Sequence, residues 1–312
     1  EGPAFPAFTR VVTDWLPISQ RARALAAGLA AVPFASVIGA PLISSLIIVF
    51  NWRIMFFALG TAGVIWAFLW YYFFSDVPEK NRHLSQDELL LYRTPLDNSI
   101  TQTTHTKSEI KKTTWKFMFF NPSLLVNNYA FFSFGYLLFF AMTWLPGYFE
   151  QVYHLQLHKI ALFLIMPWLL GTILILIGGI LSDLIWKKTG SIRLSRSHMI
   201  WICQVVSPLC FIPVVTIHSL SVAIIFISLA VGIGLMPNAA FYAINADLAR
   251  DRAATSLGIM DCGFALAGIL APAITGLLSH LLGGFSAAIG LLMILTLSSA
   301  LAVFIWQQPD EN

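Results

Sequence analysis

The stretch Leu162–Ile180 reads LFLIMPWLLGTILILIGGI and contains no charged residue. Its apolar residues follow one another without alternation, whereas the strands of a transmembrane barrel alternate apolar and polar residues over about ten positions. A run of about 20 apolar residues is long enough to cross the hydrocarbon core of a bilayer as a helix. The stretch therefore predicts a membrane-spanning helix rather than a strand of a barrel.

The composition of the whole chain agrees with that prediction. Of its 312 residues, 58% are hydrophobic and 11% are charged, whereas about a quarter of the residues of a soluble domain are charged. Eight apolar runs predict eight spans: Ala24–Phe50, Ile54–Phe74, Ser123–Tyr148, Ile160–Leu184, His198–Ile217, Leu220–Ala246, Ser256–Leu282 and Phe285–Trp306. The predicted fold class is an all-α, polytopic membrane protein.

The opening stretch EGPAFPAFTRVVTDWL, residues 1–16, is also apolar but is about half as long as a span. It lacks the basic region and the small-residue cleavage site of a signal peptide. We therefore expect it to be the second half of a helix whose first half precedes the sequence.

The positive residues cluster on one side of the predicted helices, which we call the basic side. Its four loops hold 15 of the 18 Lys and Arg residues: Arg21, Arg23, Lys80, Arg82, Arg93, Lys107, Lys111, Lys112, Lys116, Lys187, Lys188, Arg193, Arg196, Arg250 and Arg252. Because positive loops stay in the cytoplasm, we predict an inner-membrane protein with a cytoplasmic tail, residues 307–312. The sequence has no basic stripe with interleaved aromatic residues, so nothing in it indicates a nucleic-acid partner.

The organisation of the chain is that of two helical parts joined by a polar linker. Residues 1–74 are predicted to be the remnant of an N-terminal bundle, residues 75–121 a cytoplasmic linker with an interfacial helix, and residues 122–306 a six-helix bundle. Three residues recur 231 positions later as the same residue type: Pro6, Arg21 and Pro41 match Pro237, Arg252 and Pro272. Parallel repeats of this kind are typical of transporters with two related halves.

Several motifs carry a family resemblance. The elements EGPAFPAFTRVVTDWLP, QRARA, NWRIMFF and GTAGVIWAFLW, followed by WLPGYF, GGILSD and GIMDCGFALAGILAPAITG, resemble the anion:cation symporter family of the major facilitator superfamily. That family includes bacterial sugar-acid permeases, sialin and vesicular glutamate transporters. The resemblance implies a partial major facilitator fold, from the second half of helix 4 through helix 12.

The function that the resemblance implies is proton-coupled symport of a small organic anion, such as a sugar acid of the hexuronate, galactonate or glucarate type, by alternating access. We expect a monomer in the lipid bilayer. Two alternatives stay open: an inactive membrane relic or scaffold, and an exporter of another substrate.

Two acidic residues are candidates for proton coupling. Glu1 matches the glutamate of the family's E-x-P-x-F-P element, which is a protonation site near the substrate. A carboxylate inside a bilayer is costly and should face a polar cavity. Asp261 stands where the family tends to carry Asn, so it is either a second proton site or a carboxylate that hydrogen-bonds to a neighbouring helix.

A gate is predicted at the basic side. Asp183 follows GGILS and precedes Lys187 and Lys188, which resembles the superfamily's cytoplasmic loop motif. Ion pairs beside helix ends can hold one conformation and break in another. Arg21 and Arg252, in the equivalent turns of the repeat, are assigned to the same gate. The alternative for Asp183 is a solvated loop charge.

Polar residues at helical spacing are the candidates for substrate binding. Two faces follow the pattern i, i+4 and i+7, and their members are Tyr129, Ser133 and Tyr136, and Asn238, Tyr242 and Asn245. Such faces suit a wet cavity, although the same side chains also form hydrogen bonds between membrane helices. Arg10 is expected to extend its charged end to the membrane interface.

Signals for enzymatic chemistry are lacking in the sequence. There is no Walker A or G-x-G-x-x-G element, and the three cysteines, Cys203, Cys210 and Cys262, form no C-x-x-C pair. His154 and His158 have the spacing of zinc ligands but lack a third ligand nearby. We expect neither an enzyme nor a bound metal or cofactor.

Overall fold

The computed structural model describes residues 4–16, 18–74, 115–155, 157–249, 252–282 and 284–311, and in these ranges its regular structure is helical throughout. The helices are α1 (Ala4–Trp15), α2 (Ile18–Val49), α3 (Trp52–Phe73), α4 (Trp115–Phe120), α5 (Pro122–Tyr153), α6 (Leu157–Thr189), α7 (His198–Leu209), α8 (Phe211–Thr216), α9 (Leu220–Leu235), α10 (Asn238–Ala249), α11 (Ala253–Leu282) and α12 (Ser286–Trp306). A π-helical segment, Arg193–Ser197, leads into α7.

Eight stretches of the described residues are long and apolar enough to cross a membrane. They are Ser19–Gly39, Trp52–Phe73, Pro122–Tyr153, Leu162–Thr189, Arg193–Thr216, Leu220–Ala249, Ala253–Leu282 and Ser286–Trp306. Their number and order match the eight predicted runs, so the predicted all-α polytopic class is confirmed. Most of the predicted linker lies outside the described residues, and α4 occupies its last part.

The boundaries of α5 show why the helix begins and ends where it does. The side chain of Asn121 accepts a hydrogen bond from the backbone N–H of Leu124 at 3.1 Å, and Pro122 follows it at a position where a missing N–H costs nothing. His154, with a left-handed φ of 50°, ends the helix. Asn121 and Pro122 therefore set the start of the helix that contains the third predicted run.

Two of the predicted runs are interrupted in the structure. The run that begins at Leu220 divides into α9 and α10 at Met236 and Pro237. Proline lacks the N–H that a continuous helix needs, so α10 begins as a new helix immediately after it. The run that begins at His198 divides likewise at Cys210. Because of the interruption at Pro237, Asn238 is the first residue of α10, and the predicted polar face lies along this separate helix.

Small residues bring α2 and α6 into close contact. A Cβ atom added to Gly179 of α6 would clash with the Cβ of Ala26 and would lie 2.8 Å from the backbone oxygen of Ala22, both in α2. Contacts between small residues let membrane helices approach closely. The contact lies one helical turn before Asp183, so it fixes the distance between that carboxylate and α2.

We expect Gly179→Ala to destabilise the protein, because the added methyl group forces α2 and α6 apart. Overpacking of this kind costs about 1–3 kcal/mol, and thermal unfolding of the detergent-solubilised protein measures it. Gly147→Ala in α5 is the matched control, since a Cβ added there meets no atom within 4 Å. Equal melting temperatures for the two variants would contradict the close contact.

Aromatic rings form the centre of the packing between α5, α10 and α11. The ring of Phe131 lies 5.4 Å from that of Phe241 and 5.1 Å from that of Phe264, measured between centroids. These separations are typical of favourable aromatic pairs. The ring of Phe5 in α1 lies 6.0 Å from that of Tyr242, so α1 joins the same cluster.

Candidate functional site

An ion-pair cluster lies at the basic side and centres on Asp247, near the end of α10. The Nη1 atom of Arg21 in α2 lies 2.8 Å from Oδ1 of Asp247. The other carboxylate oxygen of Asp247 accepts a hydrogen bond from Nη1 of Arg196, in the π-helical segment. One carboxylate therefore holds two arginines that come from different parts of the chain.

A second carboxylate of the cluster, Asp183 near the end of α6, faces α2. Its Oδ2 atom accepts a hydrogen bond from the backbone N–H of Arg23 at 2.9 Å and lies 3.8 Å from the Nε atom of the same residue. Arg196 is close enough to Asp183 for a favourable electrostatic interaction. Asp183, Asp247, Arg21, Arg23 and Arg196 form what we call the Asp247 cluster.

Four of these five charges are largely buried, which distinguishes the cluster from a surface ion pair, whereas the side chain of Arg23 is 49% exposed. Asp183 and Arg196 are fully buried, and the side chains of Asp247 and Arg21 are 4% and 17% exposed. Buried charges are tolerated only while they are paired, because taking them out of water costs several kcal/mol per ion. Since Arg21 and Arg23 lie in α2 and the other three residues lie in the later helices, the pairing requires α2 to stay docked against α6 and α10.

The other residues assigned to the gate lie outside this cluster. Lys187 and Lys188 are exposed at the end of α6, and neither is within ion-pair distance of a carboxylate in the described ranges. Arg252 precedes α11 and is half-buried. Asp183 thus has Arg23 as its partner rather than the lysines that follow it, because its side chain points into the contact that Gly179 opens between α2 and α6.

A second polar group, Tyr242 and Asp261, joins α10 to α11 among the aromatic rings. The hydroxyl of Tyr242 donates a hydrogen bond to Oδ1 of Asp261 at 3.3 Å. Tyr242 is 4% exposed, whereas Asp261 is half-buried. The rings of Phe5 and Phe131 lie 6.0 and 5.4 Å from that of Tyr242. An ionisable group on one edge of an aromatic cluster can exchange a proton while its neighbours exclude water.

Two further predicted residues, Asn238 in α10 and Tyr136 in α5, carry buried polar atoms. Asn238 is 8% exposed and stands one helical turn before Tyr242, and its Oδ1 atom has no hydrogen-bond partner among the described residues. Tyr136 in α5 is 2% exposed, and its hydroxyl forms no hydrogen bond of good geometry within the described part of the chain. Unsatisfied groups of this kind call for a partner, such as water or a ligand.

The remaining residues of the two predicted faces bind neighbouring helices. The hydroxyl of Tyr129 lies 2.8 Å from Oγ of Ser298 in α12. Ser133 is buried, and its hydroxyl donates to the backbone oxygen of Tyr129 in the same helix at 3.1 Å and to that of Leu295 in α12 at 3.5 Å. Asn245 is fully buried, and its Nδ2 atom donates to Oδ1 of Asn128 at 3.5 Å. These contacts are the interhelical alternative that the sequence left open.

Glu1 lies outside the described residues, so its surroundings stay a prediction. Arg10 lies on α1 with its side chain exposed.

Three residues of the Asp247 cluster are not among the predicted gate residues: Asp247, Arg196 and Arg23. Asp247 lies in the motif DLARDRA and Arg196 in a basic loop, and both resemble ordinary solvated charges. Their contact joins residues 51 positions apart, and the contact of Arg21 with Asp247 joins residues 226 positions apart. A rare π-helical segment, Arg193–Ser197, turns Arg196 into the interior, and hydropathy alone does not predict such a segment.

Comparison with known proteins identifies the family. The family model described as Major Facilitator Superfamily matches residues 1–195, more than half of the chain. The chain belongs to the Major Facilitator Superfamily. The family and the relatives of this superfamily member are transporters and not enzymes, and the eight apolar helices agree with a multi-pass membrane protein.

Two of the relatives of this superfamily member carry the name of a transported compound. The protein described as "Probable sulfoacetate transporter SauU" of Cupriavidus necator is 30% identical over 288 residues, which are 91% of this chain and 64% of that protein. The protein described as "Hexuronate transporter" of Bacillus subtilis is 26% identical over 312 residues, which are 99% of this chain and 70% of that protein. The chain thus spans about two thirds of the length of these curated relatives.

A solved structure of a variant of the fucose:proton symporter FucP of E.coli is also similar to this chain. It is 13% identical, has a TM-score of 0.49, and covers 98% of this chain and 91% of its own. At this level of likeness nothing about function follows from the match.

Proposed function

We propose that this chain forms the larger part of a secondary active transporter that carries a small organic anion, such as a sugar acid, together with protons. The family supports transport, and the two relatives bear the names of sulfoacetate and hexuronate, which are both small organic anions. The observation that carries alternating access is the Asp247 cluster, since buried ion pairs between α2 and the later helices close one side of the molecule only while they are formed.

The orientation that we propose follows from the basic loops. The side of the Asp247 cluster faces the cytoplasm, and so does the tail after α12, because positive loops stay inside. The protein then lies in the inner membrane as a monomer. Asp183, Arg21 and Asp247 act as the closing contacts of the cytoplasmic side, and Lys187, Lys188 and Arg252 contribute positive charge around them.

The proton-coupling groups that we propose are Glu1 and Asp261. Asp261 has a hydroxyl donor in Tyr242 at 3.3 Å, which stabilises the carboxylate once its proton has left. A neutral carboxyl group and a charged one place different demands on their surroundings inside a membrane. Loading and release of the proton therefore bias the helices toward different arrangements.

The substrate groups that we propose centre on Tyr136, Asn238 and Tyr242. Oδ1 of Asn238 is buried without a partner among the described residues, and the buried hydroxyl of Tyr136 has only the side chain of Thr275 nearby, without a hydrogen bond of good geometry. Hydroxyl and amide groups of this kind suit the hydroxyls of a sugar acid. Tyr129, Ser133 and Asn245 hold α5 and α10 against their neighbours, and we assign them a supporting part in the same face.

Uptake by proteoliposomes tests the proposal. The protein expressed from its natural gene is reconstituted, and entry of radiolabelled galacturonate is measured with and without an inward proton gradient. We expect accumulation that the gradient drives and that a protonophore abolishes. Binding without uptake, or no interaction at all, would favour the relic or scaffold. Accumulation driven in the opposite direction would favour an exporter.

We expect Glu1→Gln to abolish proton-driven accumulation, because glutamine keeps the shape of the side chain but carries no proton. Exchange of labelled for unlabelled substrate across the membrane, which needs no net proton movement, should continue. Glu150→Gln, an exposed acid at the far end of α5, is the control. Undiminished accumulation in Glu1→Gln would remove Glu1 from the mechanism.

A further inference from the structure

The segment that follows α12 folds back and binds the start of the π-helical segment through Asp310. Its carboxylate accepts hydrogen bonds from Oγ of Ser191 at 2.5 Å, from the backbone N–H of Ile192 at 2.7 Å and from the backbone N–H of Arg193 at 3.2 Å. Backbone N–H groups at the start of a helical segment have no partner within it. A carboxylate satisfies them with charge-assisted hydrogen bonds, which are stronger than neutral ones.

Two more contacts attach the same segment to α5. Gln307 is fully buried, and its Nε2 atom donates to Oδ1 of Asn127 at 3.1 Å. The backbone N–H of Gln308 donates to Oγ of Ser123 at 3.1 Å. The segment is therefore held between the start of α5 and the turn after α6, and Asp310 is presented to that turn by a fixed backbone.

The turn that Asp310 binds continues directly into Arg196. Ser191 is its centre: its Oγ donates to Asp310 and accepts from the backbone N–H of Leu194 at 3.1 Å, while its backbone oxygen accepts from the N–H of Ser195 at 3.2 Å. A π-helical segment is widened by one residue relative to an α-helix, so its first turn decides where the following side chains point. That direction brings the guanidinium of Arg196 onto Asp247.

We propose that Asp310 is a positioning residue of the gate: it fixes the turn from Ser191 to Arg193 and thereby keeps Arg196 aimed at Asp247. The proposal rests on the gating part of the proposed function and is independent of the substrate. Loss of the Asp310 contacts lets the turn rearrange, which weakens the Asp247 cluster and opens the cytoplasmic side more often.

A buried thiol reports the opening without any substrate. Ser182→Cys, in a protein whose three native cysteines are replaced by alanine, introduces a thiol at a site that is 1% exposed beside Asp183. Its rate of reaction with a water-soluble maleimide measures how often this buried end of α6 opens to water. Gln20→Cys, at an exposed site of α2, is the reference for a thiol that is always accessible.

The substitutions remove the contacts stepwise. Ser191→Ala removes one of the three hydrogen bonds to Asp310, Asp310→Asn leaves one acceptor oxygen in place, and Asp310→Ala removes all three. We expect Asp310→Ala to raise the labelling rate at position 182 about tenfold and the other two variants to raise it less. The thiol at position 20 should react at the same rate in all these variants. The thiol at position 182 should react at the parent rate when Glu150→Gln is the added substitution.

A double-mutant cycle separates positioning from general loosening. If Asp310 acts through Arg196, then Arg196→Gln and the double variant Arg196→Gln/Asp310→Ala should label at the same rate, because the second change has nothing left to disturb. Additive effects would overturn the proposal, and so would a parent labelling rate in Asp310→Ala. If Asp310→Ala does not reach the membrane, Ser191→Ala and Asp310→Asn are judged by the same two criteria. Failure of sugar-acid uptake leaves this result unaffected.

Discussion

Asp247→Asn is expected to lower the free energy of unfolding by about 3–5 kcal/mol, because removal of one member of a buried ion-pair group leaves the remaining charges without compensation. Arg196 is fully buried beside this carboxylate and would lose the charged group that accepts its hydrogen bond, which leaves it only the weaker attraction of Asp183. Arg21, with a side chain that is 17% exposed, can recover part of its hydration. The loss should therefore come mainly from Arg196.

Thermal and denaturant unfolding of the purified protein in detergent measure the effect of Asp247→Asn. Arg21→Gln should cost less than Asp247→Asn, and Glu150→Gln should cost nothing measurable. Asp247→Asn should also leave the cytoplasmic side open, so transport should fail at the step that returns this side to the closed state. A melting temperature equal to that of the parent would show that Asp247 is not the shared partner of the two arginines.

Asp261→Asn is expected to leave uptake in place while reducing the accumulation that the membrane potential can drive. Moving one elementary charge through 100 mV supplies about 2.3 kcal/mol, so at this potential one proton fewer per anion lowers the accumulation ratio about 50-fold. Asparagine keeps a hydrogen bond with Tyr242 and carries no proton. Comparing the parent with Asp261→Asn is informative because the family that this sequence resembles tends to have Asn at this position.

Accumulation ratios at a series of potassium diffusion potentials measure the change. The parent and Asp261→Asn should differ in the slope of log accumulation against potential by one charge per anion. Equal slopes would mean that Asp261 only joins α10 to α11 through Tyr242, which is the other interpretation of this residue.

The fold was predictable from the sequence because the length of each apolar run determines whether it can span a membrane as a helix. Each run of about 20 apolar residues has few alternatives to a spanning helix, and all eight were found. The interruptions were harder to predict: Pro237 lies in an apolar run whose composition does not change there, and only the missing N–H of proline divides the run into α9 and α10. The π-helical segment before α7 has no compositional signal at all.

The candidate site was predictable only in part. Asp183 was found because it stands next to glycines in a recognisable motif, but its partner was not, since Arg23 lies 160 residues away. The two polar faces were found from helical spacing, yet spacing does not say what a face meets. Tyr129 meets α12 through Ser298, whereas Tyr242, which has the same kind of periodicity, meets Asp261 among the aromatic rings.

In the proposed transport cycle, the anion and the proton move together through this protein. A pH-sensitive dye trapped inside proteoliposomes measures it directly when galacturonate is added outside, with no proton gradient imposed and the membrane potential held at zero. We expect the interior to become more acidic as the sugar acid enters, in proportion to the amount taken up, and we expect Glu1→Gln to abolish the signal. Entry of galacturonate without any change of internal pH would contradict it.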